Sequence, residues 1–219
     1  MGSIIQNAAN NIGANGVFSS SALNNASLSG ITALPTGVGG KPKLLSTATA
    51  SGSSSISFTS GIDSTYDVYY FEFINCHPQN NDPRFEFNLS TDGGSNYNVT
   101  KTTTVFRALN HETSGVSVLD YAGGNDLAQS TSFQDLNAGG IKNDNDIGLS
   151  GTLTLFNPSS NVYVKHFIAT TNIHTSDGYS LESFVAGYAN TTSAVNAIRF
   201  QMDSGNIDAG TIKMYGIKA

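Results

Sequence analysis

Two neighbouring stretches, Tyr66-Asp67-Val68-Tyr69-Tyr70-Phe71-Glu72-Phe73-Ile74 and Arg84-Phe85-Glu86-Phe87-Asn88-Leu89-Ser90, decide the fold class. In the second, Phe85, Phe87 and Leu89 alternate with polar residues, the period of a strand with one buried face and one wet face. In the first, Tyr69, Phe71 and Phe73 share one face while Val68, Tyr70 and Glu72 share the other. Aromatic rings on both faces place this strand centrally, flanked on two sides. Across such a strand pair Glu72 is expected to meet Arg84, and Glu86 to face water.

The same alternation continues outward. Ile56 and Phe58 alternate with serine, and further strands are expected at Tyr97–Ala108, Val116–Tyr121, Ser130–Leu136, Leu149–Asn157, Val162–Thr171, Ser183–Asn190, Ala197–Met202 and Thr211–Ile217. Hairpin turns are expected at Asp92-Gly93-Gly94-Ser95, Asn157-Pro158-Ser159-Ser160 and Ser204-Gly205-Asn206, where glycine, asparagine and proline adopt turn dihedrals cheaply. No segment keeps a helical period beyond about two turns. Many short strands without intervening helices give an all-β fold, a jelly-roll-like antiparallel β-sandwich over residues 44–219, with an up-and-down barrel as the competing architecture.

Residues 1–43 read differently. They are built from Asn, Ser, Ala and Gly, too little apolar surface to offset the entropy of ordering, so they are expected to form an extended N-terminal docking arm and linker. Leu28, Ile31 and Leu34, three apart and closed by Pro35, give the arm apolar teeth for a groove between neighbouring chains. Gly37-Val38-Gly39-Gly40-Lys41-Pro42 is the linker.

Composition narrows the function. Charged residues are 12% of the 219-residue chain, about half the usual share. A formal charge of −6 opposes nucleic acid and anionic membranes, and neither a leader nor a membrane span is read at the N-terminus. The single cysteine, Cys76, excludes an internal disulfide, suits folding in a reducing cytosol, and reads as a buried small hydrophobe.

Constellations for chemistry are sparse. His77, His111, His166 and His174 lack metal-ligand spacing, and His166 reads as a satisfied or partly buried sheet histidine. No serine elbow or phosphate-binding glycine loop occurs, so the chain reads as no enzyme and as needing no cofactor. Glu72, Glu86 and Glu182 are the carboxylates a glycosidase reading needs, without the tryptophan platforms usual beside such a pair. Asn143-Asp144-Asn145-Asp146-Ile147-Gly148 is the oxygen-rich loop closest to a calcium site, but it departs from the EF-hand order and reads better as a polar turn. For glycan contact, Tyr97, Tyr121, Tyr179 and Tyr188 supply rings and Asp144 and Asp146 supply acceptors. The long loops Asn80–Arg84, Asn110–Gly115, Ala138–Gly148 and Asn172–Tyr179 are the expected recognition segments.

Four stretches carry a family likeness: Ser57-Phe58-Thr59-Ser60-Gly61-Ile62-Asp63-Ser64-Thr65-Tyr66-Asp67, Thr91-Asp92-Gly93-Gly94-Ser95-Asn96-Tyr97, Phe156-Asn157-Pro158-Ser159-Ser160, and Gly205-Asn206-Ile207-Asp208-Ala209-Gly210-Thr211-Ile212-Lys213-Met214-Tyr215-Gly216-Ile217. They resemble a module of virion proteins of marine tailed bacteriophages. Ser29-Gly30-Ile31-Thr32-Ala33-Leu34-Pro35 is similar to segments that precede terminal domains of phage fibres. The resemblance implies a structural role on the virion surface, made in the host cytoplasm. It also implies a homotrimer of sandwich heads whose arms seat on capsid or tail subunits, as a capsid decoration (cement) or a short fibre. A receptor-binding module for a host surface glycan is the alternative. No catalytic residue is implied.

Overall fold

The computed structural model describes residues 42–113 and 115–218. The docking-arm residues Leu28, Ile31, Leu34 and Pro35 lie outside them. Twelve strands follow in order: β1 (Lys43–Ser53), β2 (Ile56–Phe58), β3 (Val68–Pro78), β4 (Phe85–Ser90), β5 (Lys101–His111), β6 (Ser117–Tyr121), β7 (Gln134–Asp135), β8 (Leu149–Phe156), β9 (Lys165–His174), β10 (Tyr179–Ala189), β11 (Ala197–Met202) and β12 (Ile207–Ile217). They form two antiparallel sheets packed as a sandwich, an eight-stranded sheet β1-β12-β3-β8-β9-β10-β5-β6 and a four-stranded sheet β2-β11-β4-β7. Both sheets are open at their ends, so the barrel alternative is excluded.

Alternation decides what each sheet buries. Tyr69, Phe71, Phe73, Leu153, Leu155, Phe167, Ile173, Leu181 and Val185 face inward from the large sheet, and Ile56, Phe58, Phe85, Phe87, Leu89, Ile198, Phe200 and Met202 from the small one; all are buried. Phe200 is central, with ring centroids 5.4 Å from Phe71, 5.1 Å from Phe73 and 5.9 Å from Phe85. Phe87 meets Phe167 edge-on at 5.0 Å, closing the sheets on each other.

Several expectations are corrected. β3 does lie inside a sheet, between β12 and β8, but its outer aromatic residue is explained by a cross-strand pair, Tyr70 with Tyr215 at 6.0 Å. β3 and β4 belong to different sheets, so Glu72 meets Lys213 (3.7 Å) and the Tyr215 hydroxyl (3.2 Å), while Arg84 pairs with Asp135 at 3.2 Å. The turns at 92–95 and 204–206 are not hairpins. Each carries the chain from the small sheet to the large one, since β4 and β5, and β11 and β12, are not hydrogen-bonded neighbours. The turn after Asn157 does join a hydrogen-bonded pair, β8 and β9. The strand expected at 130–136 shrinks to Gln134–Asp135 plus one bridge, Lys101 to Ser130.

Candidate functional site

Strand direction sorts the loops. Among the hydrogen-bonded neighbours β3, β8, β9, β10 and β5, antiparallel pairing puts the connections 79–84, 112–116, 136–148 and 175–178 at one end of the large sheet. Backbone bonds tie them together: the Asp82 N–H donates to the Ile141 carbonyl at 2.9 Å, and the Glu112 N–H to the Gly178 carbonyl at 3.0 Å. The four segments singled out for recognition therefore form one rim.

One cleft of that rim, about 540 Å³, is lined by Asn75, His77, Asn145, Asp146, Gly148 and Asp208 with Ile147 and Ala209. Irregular backbone shapes it. The β3–β8 register shifts between Phe73 and Cys76, and the β3–β12 register shifts on both sides of Ala209. Bulges re-aim side chains in this way at sheet ends. Asn75 takes φ +48° and Gly210 φ +119°. A Cβ at Gly210 would stand 2.6 Å from the Asn75 carbonyl oxygen, so this close approach requires glycine. The Asn75 N–H donates to Ser150 Oγ at 3.1 Å, and His77 Nε2 donates to the Asp144 carbonyl at 3.2 Å while its Nδ1 lies 3.7 Å from Asp208. Amides, carboxylates and an imidazole in a polar hollow suit a hydroxyl-rich ligand. A second hollow of about 250 Å³ lies between Asp82, Arg107, Gly140, Thr175, Asp177 and Tyr179.

Of the ligand residues expected from sequence, Asp144, Asp146 and Tyr179 are at this end. Asp144 Oδ2 pairs with Lys142 at 2.8 Å, and the Ile147 N–H closes the 144–147 turn on the Asp144 carbonyl at 2.9 Å. Tyr179 stands edge-on to His111 at 4.7 Å. Tyr97 and Tyr121 are elsewhere, which corrects their placement in a ligand site. Tyr97 lies on the outer side of the small sheet beneath the Arg199 guanidinium, 4.1 Å from its ring centre, with its hydroxyl buried. Tyr121 ends the edge strand β6 and donates to Asp126 at 2.6 Å. Among the described residues no three of His, Cys, Asp and Glu come within range to hold a metal ion. Glu72 and Glu86 lie on different sheets, both on outer faces, so they cannot flank one bond. His166 is exposed on the outer face of β9 beside Tyr188, not buried. Cys76 is buried, which pushes its thiol up to about 12.

Two features escaped the sequence reading. The outer face of the large sheet carries an apolar stripe: Phe106 stacks on Phe184 at 4.6 Å and 8°, with Ile168, Leu119 and Tyr121 alongside at 54%, 73% and 56% exposure. The side of β4 expected to be wet is instead sealed by the segments around Tyr97 and Thr131. Beneath them Lys101 is fully buried, its Nζ donating to Asn88 Oδ1 at 2.6 Å and to the Val99 carbonyl at 2.9 Å. Burial lowers the Lys101 ammonium to about 7 and raises Glu86 above the usual carboxylate range. Phe106 gave a signal in its alternation with Val105, but nothing in the sequence told which face was in water.

No family model matches the chain, and neither a curated protein nor a solved structure matches it.

Proposed function

We propose that the chain is a structural protein of a tailed-phage virion surface, a homotrimeric capsid decoration or short fibre whose N-terminal arm seats on capsid or tail subunits. The observation that supports this reading is the outer face of the eight-stranded sheet. Across β5, β8, β9 and β10 its middle carries threonines, two alanines and the Phe106–Phe184–Ile168 stripe, bordered by Asn, Ser and His residues, with Glu182 its one carboxylate. An exposed apolar patch on a sheet face marks an interaction surface, and β6 beside it is a short edge strand with exposed Val118, Leu119 and Tyr121. Packing this face against symmetry mates removes the stripe from water and leaves the loop rim pointing outward. Sedimentation of the full chain tests the reading: a trimer that the double substitution Phe106→Ser and Ile168→Ser turns into a folded monomer is expected. A monomeric parent at micromolar concentration sinks it. In particles that carry the chain, many copies at capsid symmetry axes mean cementing, and a few on the tail mean a fibre.

The loop rim favours a second reading, recognition of a host surface glycan in the Asn75–His77–Asp146–Asp208 cleft. Binding on a glycan array, lost in His77→Ala and Asp146→Ala, is its expected sign; an array without any binder removes it.

A further inference from the structure

Lys101 and Asn88 are placed for a reaction with each other. Lys101 is the first residue of β5 in the large sheet and Asn88 lies mid-way along β4 in the small one. Asn88 is fully buried and its carboxamide is fixed by four contacts. Nδ2 donates to the carbonyls of Tyr97 (2.7 Å) and Thr131 (2.9 Å), while Oδ1 accepts from the Leu89 N–H (2.8 Å) and from Lys101 Nζ (2.6 Å). The electrophilic Cγ is one carbonyl bond, about 1.2 Å, behind Oδ1. Glu86, two residues earlier on the same face of β4, interacts electrostatically with Lys101, and its Oε1 is held by Gln201 Nε2 at 2.7 Å. The amine and the carboxamide thus meet in a buried contact, and the half-buried Glu86 carboxylate beside them is the proton carrier that amide exchange needs.

The geometry points to an intramolecular isopeptide bond between Lys101 Nζ and Asn88 Cγ, formed by the folded chain itself and tying one sheet to the other. The step balances without oxidant or co-reactant. The Nζ lone pair attacks Cγ and the Nζ–Cγ bond forms, with the negative charge gathering on Oδ1 beside the Leu89 N–H. Glu86 takes a proton from the amine and delivers it to Nδ2. The Cγ–Nδ2 bond then breaks and ammonia leaves, so that one primary amide and one amine become one secondary amide. The nucleophile must be the uncharged amine, and burial keeps Lys101 near the pH where that form is abundant. Lys165 is an internal control. Its side chain is likewise closed to solvent, though less deeply packed, and its Nζ donates to the backbone carbonyls of Tyr163 and Thr191 in place of a carboxamide.

The test is intact-mass spectrometry of the full chain, purified and held for days at pH 8, followed by denaturation and trypsin. The expected mass is one ammonia, about 17 Da, below that of the sequence. Trypsin should cut after Arg84, Arg107 and Lys165 but not after Lys101, giving peptide 85–107 lighter by one ammonia in place of linear 85–101. Lys101→Met and Asn88→Ala should show their full sequence masses, and Glu86→Gln should close more slowly than the parent by at least tenfold. A parent chain of full mass that releases peptide 85–101 overturns the proposal. So does an ammonia loss at Asn88 with Lys101 still cleaved, the mark of a succinimide. Closure of Glu86→Gln at the parental rate overturns the role given to Glu86.

Discussion

Replacing Phe200 with alanine tests how the sandwich is held together. Phe200 is fully buried on β11, and five rings lie within 6.4 Å of its centroid: Phe58, Phe71, Phe73, Phe85 and Phe87. Two of these, Phe71 and Phe73, belong to the opposite sheet, so truncation opens a cavity at the contact between sheets. Neighbouring strands cannot collapse into it without breaking the register Phe200↔Phe87 and Phe200↔Ile56. Buried Phe→Ala changes cost about 3–5 kcal/mol, and this site belongs at the upper end because its walls are backbone-locked. With a urea m-value of about 2 kcal/mol/M, the midpoint should fall by roughly 1.5–2.5 M. Urea unfolding followed by far-UV circular dichroism reads the shift. The matched control is Phe106→Ala on the exposed stripe, expected to cost under about 1 kcal/mol in the monomer because only its stack on Phe184 is lost. Equal midpoints for the two variants would refute the assignment of inner and outer faces.

Three further outcomes are expected. Hydrogen bonds from Asn96, both side chain and backbone, and from Ser90 hold the Asp92 carboxyl down to about 2. A depressed folded value means these bonds support the 92–96 turn above about pH 4 and are lost as pH falls toward 2. A carboxyl NMR titration with its midpoint at the ordinary 3.8 contradicts this. Gly210→Ala forces a side chain onto φ +119° and against the Asn75 carbonyl, so it should destabilise by more than about 1 kcal/mol, and an unchanged urea midpoint refutes the strain. Cys76, buried and pushed up to about 12, should react with a thiol reagent at pH 8 only as fast as the chain opens; prompt labelling of the native protein contradicts its burial.

Local periodicity made most strands legible, because alternation of Phe85, Phe87 and Leu89 or Tyr69, Phe71 and Phe73 reports a buried face whatever the partner strand. It could not report the partner. Glu72 and Arg84 looked like cross-strand neighbours only because their strands are consecutive, whereas the registers that matter join β3 to β12 and β4 to β11, more than a hundred residues apart. β1 was missed altogether: as an edge strand it buries little beyond Ala50, with Leu45 and Ala48 part-buried, so its serines and threonines show no apolar period. The loop rim was legible as four Asn- and Gly-rich segments, and its convergence at one end follows from antiparallel pairing. Tyr97 misled because a tyrosine in a polar loop reads as exposed, while here Arg199 and Gly94 hold it against the small sheet.

A buried lysine is costly, and a methionine of similar length would fill the same space without desolvating a charge. Lys101→Met also removes the hydrogen bonds to Asn88 Oδ1 and the Val99 carbonyl, so an uncrosslinked Lys101 would itself cost about 1–3 kcal/mol to replace. Joined to Asn88, it closes a loop of 13 residues between the two sheets. By the chain-entropy argument used for disulfides, such a closure stabilises by about 3 kcal/mol, which for a domain of this size corresponds to roughly 6–12 °C in Tm. The mass of the parent chain, read beside the Lys101→Met effect on Tm, therefore separates the two accounts. A lower Tm together with recovery of the full sequence mass fits the bond, and a Tm at or above the parent's refutes it. The segments around Tyr97 and Thr131, whose carbonyls accept from Asn88 Nδ2, cover β4 and shield the amine and the carboxamide from water that would solvate both and slow their reaction.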